Sequence, residues 1–221
     1  MQSVFMRNMH TGLSFKKEMN FVTEKTFTNI KCENLAWKEV KTQNALHTAI
    51  FDIDVSNRTA SDGRSADFVI MNNSDWVSVV PFFKGTDGQN YFVMEKQFRH
   101  GTCSETLEFP GGIIEKGENP EDAALRELKE ETGIIAHEIE KIGAICPNSA
   151  FMHNTQHVFL AQCLEYTGIV DFDENEYVVP LTVPVKDVIT SMGEGMYSNG
   201  AMLPVVYFFI REKNLICTEK L

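Results

Sequence analysis

Apolar and polar positions alternate from about residue 35 to residue 72, which predicts short strands and a small antiparallel sheet at the N-terminal side of the chain. Residues 49–55 (AIFDIDV) and 66–71 (ADFVIM) read as strands, and the polar stretch 56–65 (SNRTASDGRS) reads as the loop between them, rich in turn-forming Asn, Ser, Asp and Gly. Two apolar runs, 76–83 (WVSVVPFF) and 91–98 (YFVMEKQF), bracket Gly85-Thr86-Asp87-Gly88-Gln89 and predict a hairpin. Further strands are expected at 155–164 and 177–183. Val185, Val188, Ile189 and Met192 recur at helical spacing before Gly193, and Leu203, Val206, Tyr207 and Ile210 repeat that stripe. Two amphipathic helices follow. Strands interleaved with a few helices predict a mixed α/β fold with layers packed on a sheet.

The chain has 221 residues, enough for one domain with an appendage. Residues 1–18 lack clear periodicity and read as a flexible tail, followed by a β-rich region over 19–74 and a main domain over 75–221. The 31 acidic and 20 basic side chains leave a net charge of −11. Such a surface disfavours nucleic acid and anionic membranes as partners. An anionic small molecule would need a locally concentrated cation, either a metal or an arginine. No run of apolar residues is long enough for a membrane span, and the N-terminus lacks the apolar core of a secretory signal. Five widely spaced cysteines without a CxxC pair fit a reduced, cytoplasmic setting better than a disulfide framework or a structural zinc site.

Residues 111–134 (GGIIEKGENPEDAALRELKEETGI) carry the chemistry. Asn119 is a good N-cap, Pro120 suits the first helical position, Glu121 and Asp122 favour the positive end of the dipole, and Gly133 suits the terminus. A helix over 120–132 follows. On it Glu127 and Glu131 lie one turn apart with Glu130 beside them, while Leu125 and Leu128 offer apolar contacts. Like charges this close repel unless offset. A hard cation such as Mg²⁺ would offset them. Taken alone, the three glutamates fit a solvated charged stripe better than a metal site.

The wider spacing reverses that judgement. Gly112, Glu118, Arg126, Glu127, Leu128, Glu130, Glu131, Gly133 and Ile134 fill every specified position of G-x5-E-x7-R-E-U-x-E-E-x-G-U, where U is aliphatic. The segment thereby resembles the Nudix hydrolase family. The resemblance implies an α/β/α sandwich with a mixed sheet, here preceded by the small antiparallel sheet. It implies Glu127, Glu131 and the Gly111 carbonyl as metal ligands, and Glu130 and Glu131 at the catalytic centre. Arg126 would hold the loop by pairing with Glu118, and Gly112 and Gly133 would let the backbone turn. The cofactor implied is Mg²⁺, with Mn²⁺ as a substitute.

Features outside the signature resemble the ADP-ribose pyrophosphatase and nucleotide-sugar hydrolase branch. These are the β-rich N-terminal region, Gln97-Phe98-Arg99 leading to Glu108-Phe109-Pro110-Gly111-Gly112, and Pro147 placed after a short strand. Pro147-Asn148-Ser149 departs from the Ser-Pro-Gly form commonest for ADP-ribose. The resemblance implies a homodimer in which the N-terminal sheet exchanges between subunits. It puts Arg99 on the substrate phosphates and Glu108 in the site. In the acidic loop 173–176 it suggests Glu174 as general base and Glu176 as a further metal ligand, against the alternative of a solvated loop. The implied reaction is hydrolysis of a nucleoside diphosphate sugar, ADP-ribose foremost, with GDP-mannose or UDP-glucose as alternatives. A non-catalytic nucleotide sensor is the alternative of a different class. His153 and His157 read as hydrogen-bonded rather than metal-bound, and Trp37 and Phe51 as core packing.

Overall fold

The computed structural model describes Val22 and residues 34–172 and 177–215. The expected tail over 1–18 and the acidic loop residues 173–176 lie outside the described residues. The chain divides into two compact units, Met1–Ala36 and Trp37–Leu221, and the secondary structure of the described residues belongs to the second.

Strands β1 (Trp37–His47), β2 (Asp52–Ala60) and β3 (Ser65–Asn72) form a three-stranded antiparallel sheet with β2 in the middle. Most of the polar stretch expected as a loop is strand. Residues Ser56 to Thr59 pair with β1 on one side and β3 on the other, and the turn is confined to residues 61–64. Pairing on both edges satisfies the β2 backbone, so polar side chains are tolerated there. Ser56, fully buried, accepts from Thr42 Oγ1 at 3.0 Å and from Arg58 Nε at 3.1 Å. Trp37 packs edge-on against Phe68, with ring centroids 5.2 Å apart, inside this small sheet. Trp37 and Phe51 are half-buried rather than part of the core, because a three-stranded sheet has too little cover to enclose a large ring. The sheet joins the main body where the Met71 N–H donates to Phe151 O at 2.8 Å and the His153 N–H donates to Met71 O at 3.2 Å.

The main sheet contains β4 (Trp76–Lys84), β5 (Asn90–Arg99), β6 (Ser104–Glu108), β7 (Ile134–Ile145), β8 (Gln156–Tyr166) and β9 (Val178–Pro184). Its order is β6-β5-β4-β8-β7, with β9 on the other edge of β5. Only β4 and β8 run parallel. The expected hairpin forms, but β4 and β5 pair only at Phe82↔Phe92, Phe83↔Tyr91 and Lys84↔Asn90 before they part. Beyond that point β4 keeps β8, and β5 takes β6 and β9.

Helices α1 (Pro120–Thr132), α2 (Val185–Ser191) and α3 (Met202–Glu212) cover the sheet. The period-two alternation of β5 separates two cores. Phe92 and Met94 pack with Val188, Val205 and Phe209 of α2 and α3. Val93 packs with Val77, Val79 and Leu128, on the side of α1. The result is the α/β/α sandwich with a mixed sheet.

Two details depart from the sequence reading. The strand after the signature helix is long, β7 spanning Ile134–Ile145 with a register shift between Lys141 and Gly143. A Cβ at Gly143 would lie 2.6 Å from the Phe208 ring, so the glycine admits α3 onto the strand. The final helix forms where expected, but Leu203 and Tyr207 are exposed and the buried residues are Met202, Val205, Val206, Phe208 and Phe209. That helix is apolar at nearly every position up to Ile210, so spacing alone cannot select the inward face. Truncating Phe209, which packs against Phe92 at 4.7 Å and Phe82 at 5.3 Å between centroids, is therefore expected to cost about 3–5 kcal/mol of unfolding free energy. Tyr207→Ala on the open face should cost under about 1 kcal/mol. Urea denaturation of the two variants checks which face carries the packing.

Candidate active site

The parting of β4 and β5 opens a place for backbone. After β6 the chain lies along the freed edge of β4, where the Val79 N–H donates to Pro110 O at 2.8 Å and the Val77 N–H donates to Gly112 O at 2.9 Å. There is no room for a side chain at the two glycines of this segment. A Cβ on Gly111 would stand 2.1 Å from Val77 O, and one on Gly112 would stand 2.3 Å from Glu127 Oε1. The two glycines thus let one stretch of backbone touch β4 on one side and the signature helix on the other. The Gly111 N–H donates to Glu131 Oε2 at 2.8 Å.

Helix α1 is set as its sequence predicts. The Asn119 side chain accepts from the Glu121 N–H at 3.0 Å, Pro120 opens the first turn, and Gly133 ends it in the left-handed region with its N–H on Lys129 O. Leu128 is fully buried against the sheet, which turns Glu131 inward and leaves Glu127 half-buried beside it. Arg126 binds the cluster from the solvent side. Its Nε and Nη2 donate to the two oxygens of Glu118 at 2.8 and 3.0 Å, and Nη2 also donates to Ile113 O at 3.1 Å. Its Nη1 donates to Glu127 Oε1 at 2.8 Å and Glu130 Oε2 at 3.0 Å. The Glu118 pairing is the one the resemblance implies. The contacts with Glu127 and Glu130 were not foreseen: part of the repulsion assigned to a cation is met by this guanidinium. Hydrogen bonding to Arg126 holds the Glu118 carboxyl below the usual carboxylate range.

Strands β5 and β6 add a polar row. Glu95 faces Glu108 across the ladder, Gln97 faces Thr106, and Arg99 faces Ser104. Residues 95, 97 and 99 share one side of the strand with Val93, the side toward α1. Arg99 donates from Nε to Glu108 Oε1 at 2.8 Å and from Nη2 to Oε2 at 2.7 Å, a bidentate pair. Thr106 Oγ1 adds a 2.6 Å bond to Glu108 Oε1. Burial pushes the Glu108 carboxyl up, but the Arg99 fork and Thr106 outweigh it and hold the group below the usual range. Glu131 goes the other way: burial first, and then the neighbouring Glu95, raise it far above an ordinary carboxyl.

The structure therefore brings Gly111, Gly112, Glu118, Arg126, Glu127, Glu130 and Glu131 to one cradle, with Glu108 and Arg99 on the adjoining strands. Glu174 and Glu176 lie outside the described residues. His157 sits on β8, with Nε2 3.1 Å from Asp75 Oδ2 and Nδ1 2.9 Å from Lys141 Nζ. Glu95 escaped the sequence reading. The available signal was an acid directly after the apolar run Tyr91–Met94, on the same parity as Val93. Among the described residues no three His, Cys, Asp or Glu side chains converge as a ready-made metal cage. A cavity of about 700 Å³, lined by Phe82, Phe83, Val93, Leu164 and Leu181 among others, includes none of these acids.

The NUDIX domain profile matches residues 75–199, more than half of the chain. The chain belongs to the Nudix family. This Nudix hydrolase is 32% identical over 158 residues to the ADP-ribose pyrophosphatase of Bacillus subtilis, covering 71% of this chain and 83% of that one. It is 44% identical over 86 residues to the ADP-sugar pyrophosphatase of Mus musculus, covering 39% of each chain. In fold it resembles a solved ADP compounds hydrolase, with a TM-score of 0.70 and 17% identity over 84% of this chain and all of that one. These relatives put the chain in the ADP-ribose pyrophosphatase branch of the family.

Two outcomes follow from this geometry. Gly111→Ala should destabilise the fold by about 1–3 kcal/mol or more, because the added methyl meets backbone that cannot move aside. Gly101→Ala, where nothing lies within 4 Å, should stay within about 0.5 kcal/mol in the same thermal-denaturation series. The lowered Glu108 carboxyl gives its full stabilisation above an unfolded value of about 4.3 and loses it as the pH falls through its lower folded value. Glu108→Gln should therefore show a smaller loss of unfolding free energy than wild type between about pH 6 and pH 3, read by urea titration at each pH; an equal loss would remove the pair from the acid response.

Proposed function

We propose that this hydrolase cleaves the pyrophosphate bond of a nucleoside diphosphate sugar, converting ADP-ribose to AMP and ribose 5-phosphate with Mg²⁺ as cofactor and Mn²⁺ as a substitute. The observation that carries the reading is the inward placement of Glu131 against the Gly111 backbone with Glu127 beside it. The names of the relatives, an ADP-ribose pyrophosphatase and an ADP-sugar pyrophosphatase, support the substrate class.

The donor set fits a hard divalent cation. It consists of carboxylate and carbonyl oxygens, and Glu131 is buried with too little compensating charge of its own. Magnesium is commonly held by one or two carboxylates with water and substrate phosphate completing the shell, so a full protein cage is not required. When bound, such an ion neutralises the diphosphate and makes a coordinated water more acidic. Glu127, Glu131 and the Gly111 carbonyl would hold it, Glu130 would support it, and Glu176 would add a ligand. Arg126 keeps Glu127 and Glu130 together and ties the loop through Glu118. Arg99 contacts the substrate phosphates from a position fixed by Glu108, so an acidic protein receives an anion through localised positive charge. Glu174 accepts the proton of the attacking water. The N-terminal sheet, with Val40, Leu46, Phe68 and Val69 exposed, serves as a dimerisation surface.

With Mg²⁺ and a panel of ADP-ribose, GDP-mannose and UDP-glucose, product mass should show AMP and ribose 5-phosphate from ADP-ribose as the fastest reaction. Faster turnover of another sugar would reassign the substrate, and binding without turnover across the panel would favour a sensor. Glu131→Gln should lower turnover by roughly 10²-fold or more with an unchanged circular-dichroism spectrum. Wild-type rates in that variant at saturating Mg²⁺ would remove the assigned role.

A further inference from the structure

Thr106 lies on β6, two residues before Glu108 on the same side of the strand, and both side chains are buried. An apolar β-branched side chain would fill that position if packing alone mattered. The hydroxyl instead donates to Glu108 Oε1 at 2.6 Å. That oxygen also accepts from Arg99 Nε at 2.8 Å, while Oε2 accepts from Arg99 Nη2 at 2.7 Å. The Glu108 carboxylate is therefore held by two elements, the strand that carries it and the arginine that reaches it from β5. The branch at the threonine Cβ restricts its side chain to few rotamers, so the hydroxyl is a stiff contact. The Arg99 side chain is half exposed. It spends Nε and Nη2 on Glu108, and among the described residues Nη1 has no hydrogen-bond partner.

We infer that Thr106 is a positioning residue for substrate binding: its hydroxyl fixes the plane of the Glu108 carboxylate, the carboxylate fixes the Arg99 fork, and Nη1 is thereby presented at one place to the diphosphate. The inference rests on the reading of Arg99 as the contact to the substrate phosphates. A planar guanidinium already held on two of its nitrogens loses little freedom when the third meets an anion. Thr106 lies outside the signature and its hydroxyl is turned to Glu108, so its effect reaches the substrate through Arg99. A contact used equally in the bound substrate and in the transition state shows in KM rather than in kcat.

The test is steady-state hydrolysis of ADP-ribose, or of whichever sugar of the panel turns over faster, at saturating Mg²⁺ by the full chain. The proteins compared are wild type, Thr106→Val, Thr106→Ser, Arg99→Ala and the double variant Thr106→Val with Arg99→Ala. Valine keeps the shape of threonine without the hydroxyl, so Thr106→Val should raise KM about tenfold, the order expected for a hydrogen bond to a charged group, with kcat within about twofold of wild type. Thr106→Ala, which also lacks the hydroxyl, carries the test if Thr106→Val does not fold. Thr106→Ser restores the hydroxyl and should bring KM back to within about threefold of wild type. Adding Thr106→Val to Arg99→Ala should leave KM where Arg99→Ala alone puts it, because the two residues act in series. Arg99→Lys takes the place of Arg99→Ala if that variant, which strands a buried carboxylate, does not fold; lysine keeps a charge beside Glu108 and withdraws the fork. Wild-type KM in Thr106→Val, a fall in kcat that Thr106→Ser does not reverse, or a further rise in KM on the Arg99→Ala background would overturn the role of Thr106 and leave the Arg99 reading intact. Wild-type KM in Arg99→Ala would overturn that reading and the inference built on it.

Discussion

The close approach of residues 110–112 to strand β4 is the constraint on which the site depends. Two backbone hydrogen bonds, from Val77 and Val79, hold the segment where β5 has turned away. The approach is possible only because Gly111 and Gly112 carry no Cβ; a methyl at either position would overlap the Val77 carbonyl or the Glu127 carboxylate. With the segment in place, a backbone amide reaches Glu131 and the helix is anchored to the sheet through its functional face as well as through Leu128. Sheet, loop and helix are therefore tied at one point.

Charge is arranged around that point with economy. The protein carries a net charge of −11, and in the cradle two arginines supply the opposing charge from different elements. Arg126 gathers Glu118, Glu127 and Glu130 at the outer side of the helix. Arg99 is locked onto Glu108 at the end of β5. Glu131 and Glu95 are both buried, and the Glu95 charge acts on Glu131. Water would solvate such a pair well, but the interior does not, so the electrostatic demand is greatest at the inward face of the signature helix.

The remainder of the fold keeps this arrangement stiff. Alternating residues of β5 feed a core on each side, with Phe92 and Met94 toward α2 and α3 and Val93 toward α1. A strand packed on both faces cannot shift by one residue without moving its polar row into an apolar core. The register that sets Glu95 against Glu108 and Arg99 against Ser104 is thus fixed by hydrophobic packing at the other end of the same strand.

Helix α1, its caps and the carboxylate stripe were legible in the sequence because they depend on neighbours three or four residues away, which a linear pattern records. The glycine positions and the Arg126–Glu118 pair were legible through the spacing of the signature. Other features were not. The inward face of α3 was misread because nearly every residue in it is apolar, so only the sheet it packs on could choose between faces. The polar run after Val55 became strand because pairing on both edges satisfied its backbone, a condition no local propensity expresses. Glu95 appeared as an isolated acid until the fold set it opposite Glu108. Sequence by itself determined the elements, the family and the residues that carry the charge; tertiary structure alone decided which of those charges meet, because contact and burial between segments far apart in the chain exist only once the sheet has assembled.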